Sequence, residues 1–269
     1  MMPFTEFREK ALQTKREKMR GDRLYGLERE FAVRLSWLLF RLFPSIRPNQ
    51  VTLLSCGLLL GTGVLATVII YDVNGATEYA LLGFALLYAV SITDKIDGGI
   101  ARVRELCTQK GMYLDRAVHC AYPAVFYFLV ATFFWSVHSN AILFSLTLFA
   151  GLLTQMLVSQ YEWRLLVGEK IRKEDSIIRD LYFSPHTKGR QLIFPLRISY
   201  YLTFMIYAWT LFFYAILTAV SVIAPQIAYV LYGAHIIGTI IVNVYIVFIH
   251  FPQRKLYTIE EAENLKKKI

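Results

Sequence analysis

Cysteine is scarce in this chain, and the three present, Cys56, Cys107 and Cys120, have no CxxC spacing. That excludes a disulfide framework and a zinc pattern. Charge is scarce too, at 18% of 269 residues, while 56% are apolar and the mean hydropathy is +0.44. A soluble domain of this length carries more charge and less apolar surface. The first 23 residues are highly charged and lack an apolar run, which excludes a cleavable signal peptide. Internal repeats and low-complexity tracts are also missing.

What is abundant is apolar length. A span needs about 20 mostly apolar residues. Six segments qualify: 50–71, 77–94, 112–135, 140–163, 198–224 and 226–250. The 19 phenylalanines and 17 tyrosines suit helix interfaces and headgroup-level positions in a bilayer. The expected fold is therefore an all-α integral membrane protein with six transmembrane helices.

The basic residues fix an orientation. All 29 fall in four groups, with 11 in residues 1–47, 5 in 95–116, 8 in 164–197 and 5 in 254–268. The turns at 72–76, 136–139 and around 225 hold none. With six spans, all four groups share one side, and the positive-inside rule makes it cytoplasmic together with both termini. The net charge of +9 then reads as a collar facing the bilayer surface rather than a nucleic-acid footprint, because it is spread over every inner segment.

Three regions follow: cytoplasmic and amphipathic juxtamembrane helices over 1–47, a six-span domain over 48–251 and a basic cytoplasmic tail over 252–269. Residues 5–23 read as a partly solvated helical lead. From Leu24, apolar residues recur at Leu27, Phe31, Leu35, Leu38 and Leu42, one face of a helix expected to lie in the interface. Pro48 discourages helix at Arg47, and Asn49 is expected to cap the first span. Gly57 and Gly61 form a GxxxG spacing that predicts close helix packing. In the tail, Thr258 and Glu261 predict a capping box, and the terminal KKKI reads as a solvated basic end.

Against this apolar background, Asp94 and Asp97 are three residues apart on one helix. Asp115 and His119 are four apart on the next, with Gly111 extending their stripe. A short connection makes these helices antiparallel neighbours, so the four side chains can converge at the cytoplasmic end. Ionisable residues in spans are costly and mark functional sites. Three carboxylates need a cation to share a poorly hydrated site. Lys95, Arg102 and Arg116 could supply it as an ion-paired network. A hard divalent metal with substrate phosphates is the other solution. Gly98, Gly99 and Ala101 open room beside the acids, and Arg102 suits a phosphate.

The pattern Asp94-x2-Asp97-Gly98-x2-Ala101-Arg102-x8-Gly111-x3-Asp115-x3-His119 resembles the signature of the CDP-alcohol phosphotransferases, integral-membrane enzymes of phospholipid synthesis. The amphipathic lead, the "PNxxT" opening of span one and the six-span count extend the resemblance over most of the chain. It implies a homodimer that binds a CDP-linked alcohol, with membrane lipid as surroundings or substrate. It also implies transfer of a substituted phosphate to an acceptor alcohol with release of CMP. One or two Mg2+ or Mn2+ ions would be held by Asp94, Asp97 and Asp115. Gly98, Ala101, Arg102 and Gly111 would line the nucleotide and its phosphates, with Asn49 and Thr52 facing the same cavity. The membrane would be a bacterial or archaeal plasma membrane, or the endoplasmic reticulum in a eukaryote, with the site on the cytoplasmic face.

His119 departs from the family pattern, which has a fourth aspartate there, assigned as general base. A neutral imidazole can accept a proton from an alcohol, since its reference pKa is about 6.5. It is a poorer magnesium ligand than carboxylate. Three readings remain open: a transferase with His119 as base, an enzyme (hydrolase included) in which His119 only positions acceptor or water, and a CDP-lipid-binding protein without turnover. Transport is discounted, since transporter sites lie near the midplane. For a phosphate-bearing acceptor the best-placed residue is Arg164, with Lys170, Lys188, Arg190 and Arg197 as others. His235 is expected to bond to a neighbouring helix.

Overall fold

In the computed structural model, residues 2–12, 23–172 and 207–244 are described, and all their regular structure is helical. In chain order the helices are α1 (Phe4–Leu12), α2 (Arg23–Leu42), α3 (Pro48–Tyr71), α4 (Ala76–Val103), α5 (Gln109–His138), α6 (Ala141–Arg172), α7 (Tyr207–Ile223) and α8 (Pro225–Val244). Five stretches are long and apolar enough to cross a membrane: α3, α4, α5, Ala141–Ser159 of α6, and α8. A shorter apolar stretch, Thr210–Ile223, lies in α7. The beginning of the expected fifth span, the end of the sixth, the inner loop with Lys188, Arg190 and Arg197, and the tail lie outside the described residues.

Helices α3, α4 and α5 pack on one another, α6 packs on α5, and α7 and α8 close the bundle against α4 and α6. The common core is aromatic, with Phe84, Phe126 and Tyr214 in tilted and edge-on contact. Close approach is allowed by Gly83 and Gly151. A Cβ there would stand 2.7 Å from Leu129 Cδ2 and from Tyr127 Cβ respectively. Among the described residues the expectation for Gly57 and Gly61 is not met: nothing lies within 4 Å of a Cβ at Gly57, and Gly61 makes only ordinary contact with Leu86. Spacing identifies a shared face, but not which face meets a helix.

One further expectation is corrected. Asn49 does not cap α3. Arg47 holds the cap position in extended conformation, and Pro48 starts the helix, where its fixed φ and missing N–H cost nothing. Gln50 Oε1 accepts the Arg47 N–H at 2.8 Å. Over Phe4–Leu12 the lead is helical and partly solvated as expected: Phe7, Ala11 and Leu12 are buried against Val33 and Val103, while Thr5, Glu6, Glu9 and Lys10 are exposed. Helix α2 is amphipathic as expected: Ala32, Val33 and Ser36 are buried, while Leu27, Phe31, Leu38 and Leu42 are exposed. An uncovered apolar stripe beside a bundle of span-length helices suits the membrane interface.

Candidate active site

The signature occupies the last turns of α4 and the first turns of α5. Helix α4 ends in a Schellman turn, with Leu106 N–H donating to the Ala101 carbonyl at 2.9 Å and Glu105 N–H to the Arg102 carbonyl at 3.3 Å. Glu105 takes the left-handed position at φ 56°, where glycine is usual. The chain then reverses, and Thr108 caps α5 by accepting the Gly111 N–H at 3.0 Å. This compact reversal brings the acids of two helices together.

His119 Nε2 lies 2.9 Å from Asp94 Oδ1 and 3.8 Å from Asp115 Oδ1. Asp94 and Asp115 are within hydrogen-bonding reach of each other. One ligand atom from each of the three side chains falls within a 4.8 Å cluster. About a third of each carboxylate of this pair remains exposed, so the cluster is open to a ligand. Asp97 sits behind it, buried, its Oδ2 accepting the Thr52 hydroxyl at 2.7 Å and its carboxylate within the field of Asp94 and Asp115. Thr93 and Ser55 join α4 to α3 one turn away at 2.6 Å.

Glycines in the signature are explained by what a side chain would strike. A Cβ at Gly111 would stand 2.9 Å from Asn49 Oδ1 and 3.1 Å from Thr108 Oγ1, so Asn49 reaches across to the start of α5. At Gly98 a Cβ would meet the Arg102 guanidinium, 3.3 Å from its nearest nitrogen. At Gly99 it would meet Ser36 Oγ of α2 at 3.2 Å. The expected residues Asn49, Thr52, Asp94, Asp97, Gly98, Arg102, Gly111, Asp115 and His119 thus meet at one end of α3, α4 and α5. Ala101 lies in the same last turn of α4. Arg164 lies on α6, but its side chain, like that of Lys170, is outside what is described.

Two of the three expected cations also make contacts outside the acid cluster, although the field of Lys95 still reaches Asp94. Lys95 Nζ points to α2, 3.3 Å from Glu28 Oε2, and donates to the Ser91 carbonyl and hydroxyl at 3.0 and 2.8 Å. Arg102 Nε donates to the Ala11 carbonyl at 2.8 Å. Arg116 remains, its charge acting on Asp115. Two half-open carboxylates with a third behind them and an imidazole nitrogen alongside form an oxygen-rich donor set. Its chemistry fits Mg2+ or Mn2+, the latter tolerating nitrogen better.

Glu28, Ser91 and the Ala11 carbonyl were not foreseen, being contacts to the lead or within a polar turn of α4. Pro123 carried a readable signal. Without an N–H, it cannot donate to the carbonyl four residues back, that of His119, so the α5 ladder is interrupted at the residue that departs from the pattern. His235 bonds within its own helix, 3.4 Å from Thr239 Oγ1, and packs between Phe213 and Tyr214 of α7 rather than bonding to a neighbour. Beside the site, an apolar cavity of about 640 Å3 runs between α3 and α5, lined by Cys56, Leu60, Val64, Val118, Ala121 and Val125.

Helices of span length, closing at one end on an acid cluster suited to a hard cation, define a polytopic membrane protein with a polar site at the edge of its bundle. The chain matches the model of the CDP-alcohol phosphatidyltransferase family over residues 45–226, about two thirds of its length, and belongs to that family. No curated protein and no solved structure matches it. The family transfers phosphatidyl groups from CDP-alcohols in phospholipid synthesis and uses a divalent metal.

Proposed function

We propose that this protein transfers a substituted phosphate from a CDP-linked alcohol to a second alcohol and releases CMP. The observation that carries the reading is the meeting of Asp94, Asp115 and His119 within 4.8 Å, at the end of the bundle where Asp97, Gly98, Arg102 and Gly111 also gather. Asp94, Asp97 and Asp115 hold one or two Mg2+ or Mn2+ ions. When bound, the metal supplies positive charge to the pyrophosphate oxygens. Gly98 and Gly111 leave room for the nucleotide beside Ala101 and Arg102, and Asn49 and Thr52 shape the wall opposite.

The acceptor hydroxyl attacks the phosphorus distal to cytidine. A new P–O bond forms, the bond to the bridging oxygen breaks, and CMP departs with that electron pair. The hydroxyl proton goes to His119. With Nε2–H donated to Asp94, the basic lone pair of the ring is on Nδ1, and Asp94 stabilises the imidazolium that forms. Arg164 binds a phosphate-bearing acceptor. The apolar cavity between α3 and α5 supports a lipid on at least one side of the reaction, because its lining gives acyl chains an apolar course from the acid cluster into the bilayer.

The remaining assignments follow the basic residues. The six-span unit is 48–251, preceded by juxtamembrane helices and followed by a basic tail. The site and both termini face the cytoplasm, of a bacterial or archaeal plasma membrane or of the endoplasmic reticulum. The active form is a homodimer. The decisive assay is acceptor-dependent CMP release, with identification of the lipid product, by purified protein with CDP-diacylglycerol or a CDP-headgroup, a panel of acceptor alcohols, and Mg2+ or Mn2+. Absence of CMP under all combinations would leave a CDP-lipid-binding protein. His119→Ala should lower turnover by about 10²- to 10⁴-fold, as loss of a general base does, and His119→Asp should retain activity. Full activity in His119→Ala would remove the base assignment while leaving the transfer.

A further inference from the structure

Helix α1 lies outside the span of the family match, yet it touches the signature. The last turn of a helix carries partial negative charge, which favours a cation beside it. Arg102 supplies it, its Nε–H donating to the Ala11 carbonyl at 2.8 Å. The opposite edge of the same guanidinium lies over Gly98, where a Cβ would be 3.3 and 3.7 Å from its two terminal nitrogens. A planar guanidinium fixed at Nε has its terminal nitrogens aimed as well.

Four contacts to α2 hold α1 in that place. Arg8 grips both carboxylate oxygens of Glu30 on α2, with Nε 3.0 Å from each. Phe4 stands edge-on to Trp37 at 5.6 Å, and Phe7 lies against Phe40 at 5.5 Å. Trp37 Nε1 also donates to the Met2 carbonyl at 3.3 Å. The helix is thus clamped at both ends: to α2 through Arg8 and the rings, to α4 through Arg102.

We propose that α1 is a positioning element for the nucleotide site, in which the Ala11 carbonyl orients the Arg102 guanidinium over Gly98 toward the donor's phosphates and the Arg8–Glu30 pair holds α1 to do so. This rests on the reading of Arg102 as a phosphate-binding residue. Arg8 and Glu30 are positioning residues, since they act through α1 and Arg102.

The test uses the full-length protein in detergent, with CDP and Mg2+ as the probe and calorimetric Kd as the readout, so that it stands whether or not turnover is found. Arg8→Glu and Glu30→Arg should each weaken CDP binding about fivefold, and the double reversal Arg8→Glu/Glu30→Arg should restore most of it. In an Arg102→Lys background, which lacks the planar fork, Arg8→Glu should add nothing further. Loss of melting temperature with unchanged CDP affinity would overturn the inference, as would additive effects of Arg8→Glu and Arg102→Lys. A wild-type protein that does not bind CDP would overturn it together with the transferase reading. Binding with the expected coupling but no CMP release would count against transfer alone.

Discussion

The two ends of the bundle bury polar groups in opposite ways. Away from the acids, Asn140 Nδ2 donates to the Tyr229 hydroxyl at 2.7 Å, the Thr147 hydroxyl meets that of Tyr232, and Phe134 stacks on Tyr232 at 3.9 Å. These are neutral donors facing neutral acceptors, with rings filling the space. At the acid end, three carboxylates gather while Lys95 and Arg102 are drawn off to Glu28 and Ala11. The fields of Lys95 and Arg116 still reach Asp94 and Asp115, and the oxygen-rich donor set suits a hard cation. The difference separates polar groups that serve packing from polar groups that serve a ligand, although both sit in the same helices.

The comparison is broken most sharply at Asp115. Asp115→Asn should lower CMP release by about 10³-fold, because it removes negative charge that would hold a divalent metal against the phosphates. Its melting temperature in metal-free buffer should hold or rise, since like charges are relieved. Turnover within tenfold of wild type would deny the acid end its role. Next in size is Gly111→Ala. The added methyl would press on Asn49 Oδ1 and Thr108 Oγ1, shifting the start of α5 and lowering turnover about tenfold, with CDP affinity falling alongside.

The opposite end should answer differently. Asn140→Leu removes the bond to Tyr229 and the acceptor for Leu143 N–H at the start of α6. It should cost about 1 kcal/mol of stability, read as a lower melting temperature, with kcat and KM unchanged. A changed KM would show that the two ends are coupled.

The smallest effect concerns pH and α1. Hydrogen bonding to Arg8 holds the Glu30 carboxyl below its usual range, against the opposing effect of burial and with help from the field of Arg34. A depressed carboxylate contributes fully above its unfolded value of about 4.3 and loses that contribution as pH falls through the folded value. Docking of α1 should therefore be flat from neutral pH to about 5 and weaken only in stronger acid. Trp37 emission, isolated by comparison with Trp37→Phe, should report the change, and Glu30→Gln should show the weakened docking already at neutral pH, with no acid transition. A transition between pH 5 and 7 in the wild type would show that other groups govern α1.

The acid cluster was legible because helical spacing alone puts Asp94 beside Asp97 and Asp115 beside His119, and an acid in an apolar segment stands out. The face of α2 was legible for the same reason. What failed was partner choice. Nothing local to Arg102 says that it reaches a carbonyl 91 positions earlier, or that Lys95 turns from the neighbouring acids toward Glu28. Gly57 and Gly61 satisfied a spacing rule while Gly83 and Gly151, each alone, carry the close contacts. At Pro48, two signals competed for one helix start, and the proline's fixed φ prevailed over the asparagine's capping side chain.

Helix α4 runs unbroken from Ala76 to Val103, and that continuity makes it a ruler. From Ala76 to Asp94 is 18 residues, about 27 Å at 1.5 Å per residue, against a hydrocarbon thickness of about 30 Å. Were Ala76 to lie at one boundary, Asp94 would stand near the other, with Asp97, Gly98 and Arg102 just beyond. Depth would then be set by residue count. Inserting a full turn between Ala76 and Asp94 would preserve the helical face of every acid while displacing the site by about 5.4 Å along the membrane normal.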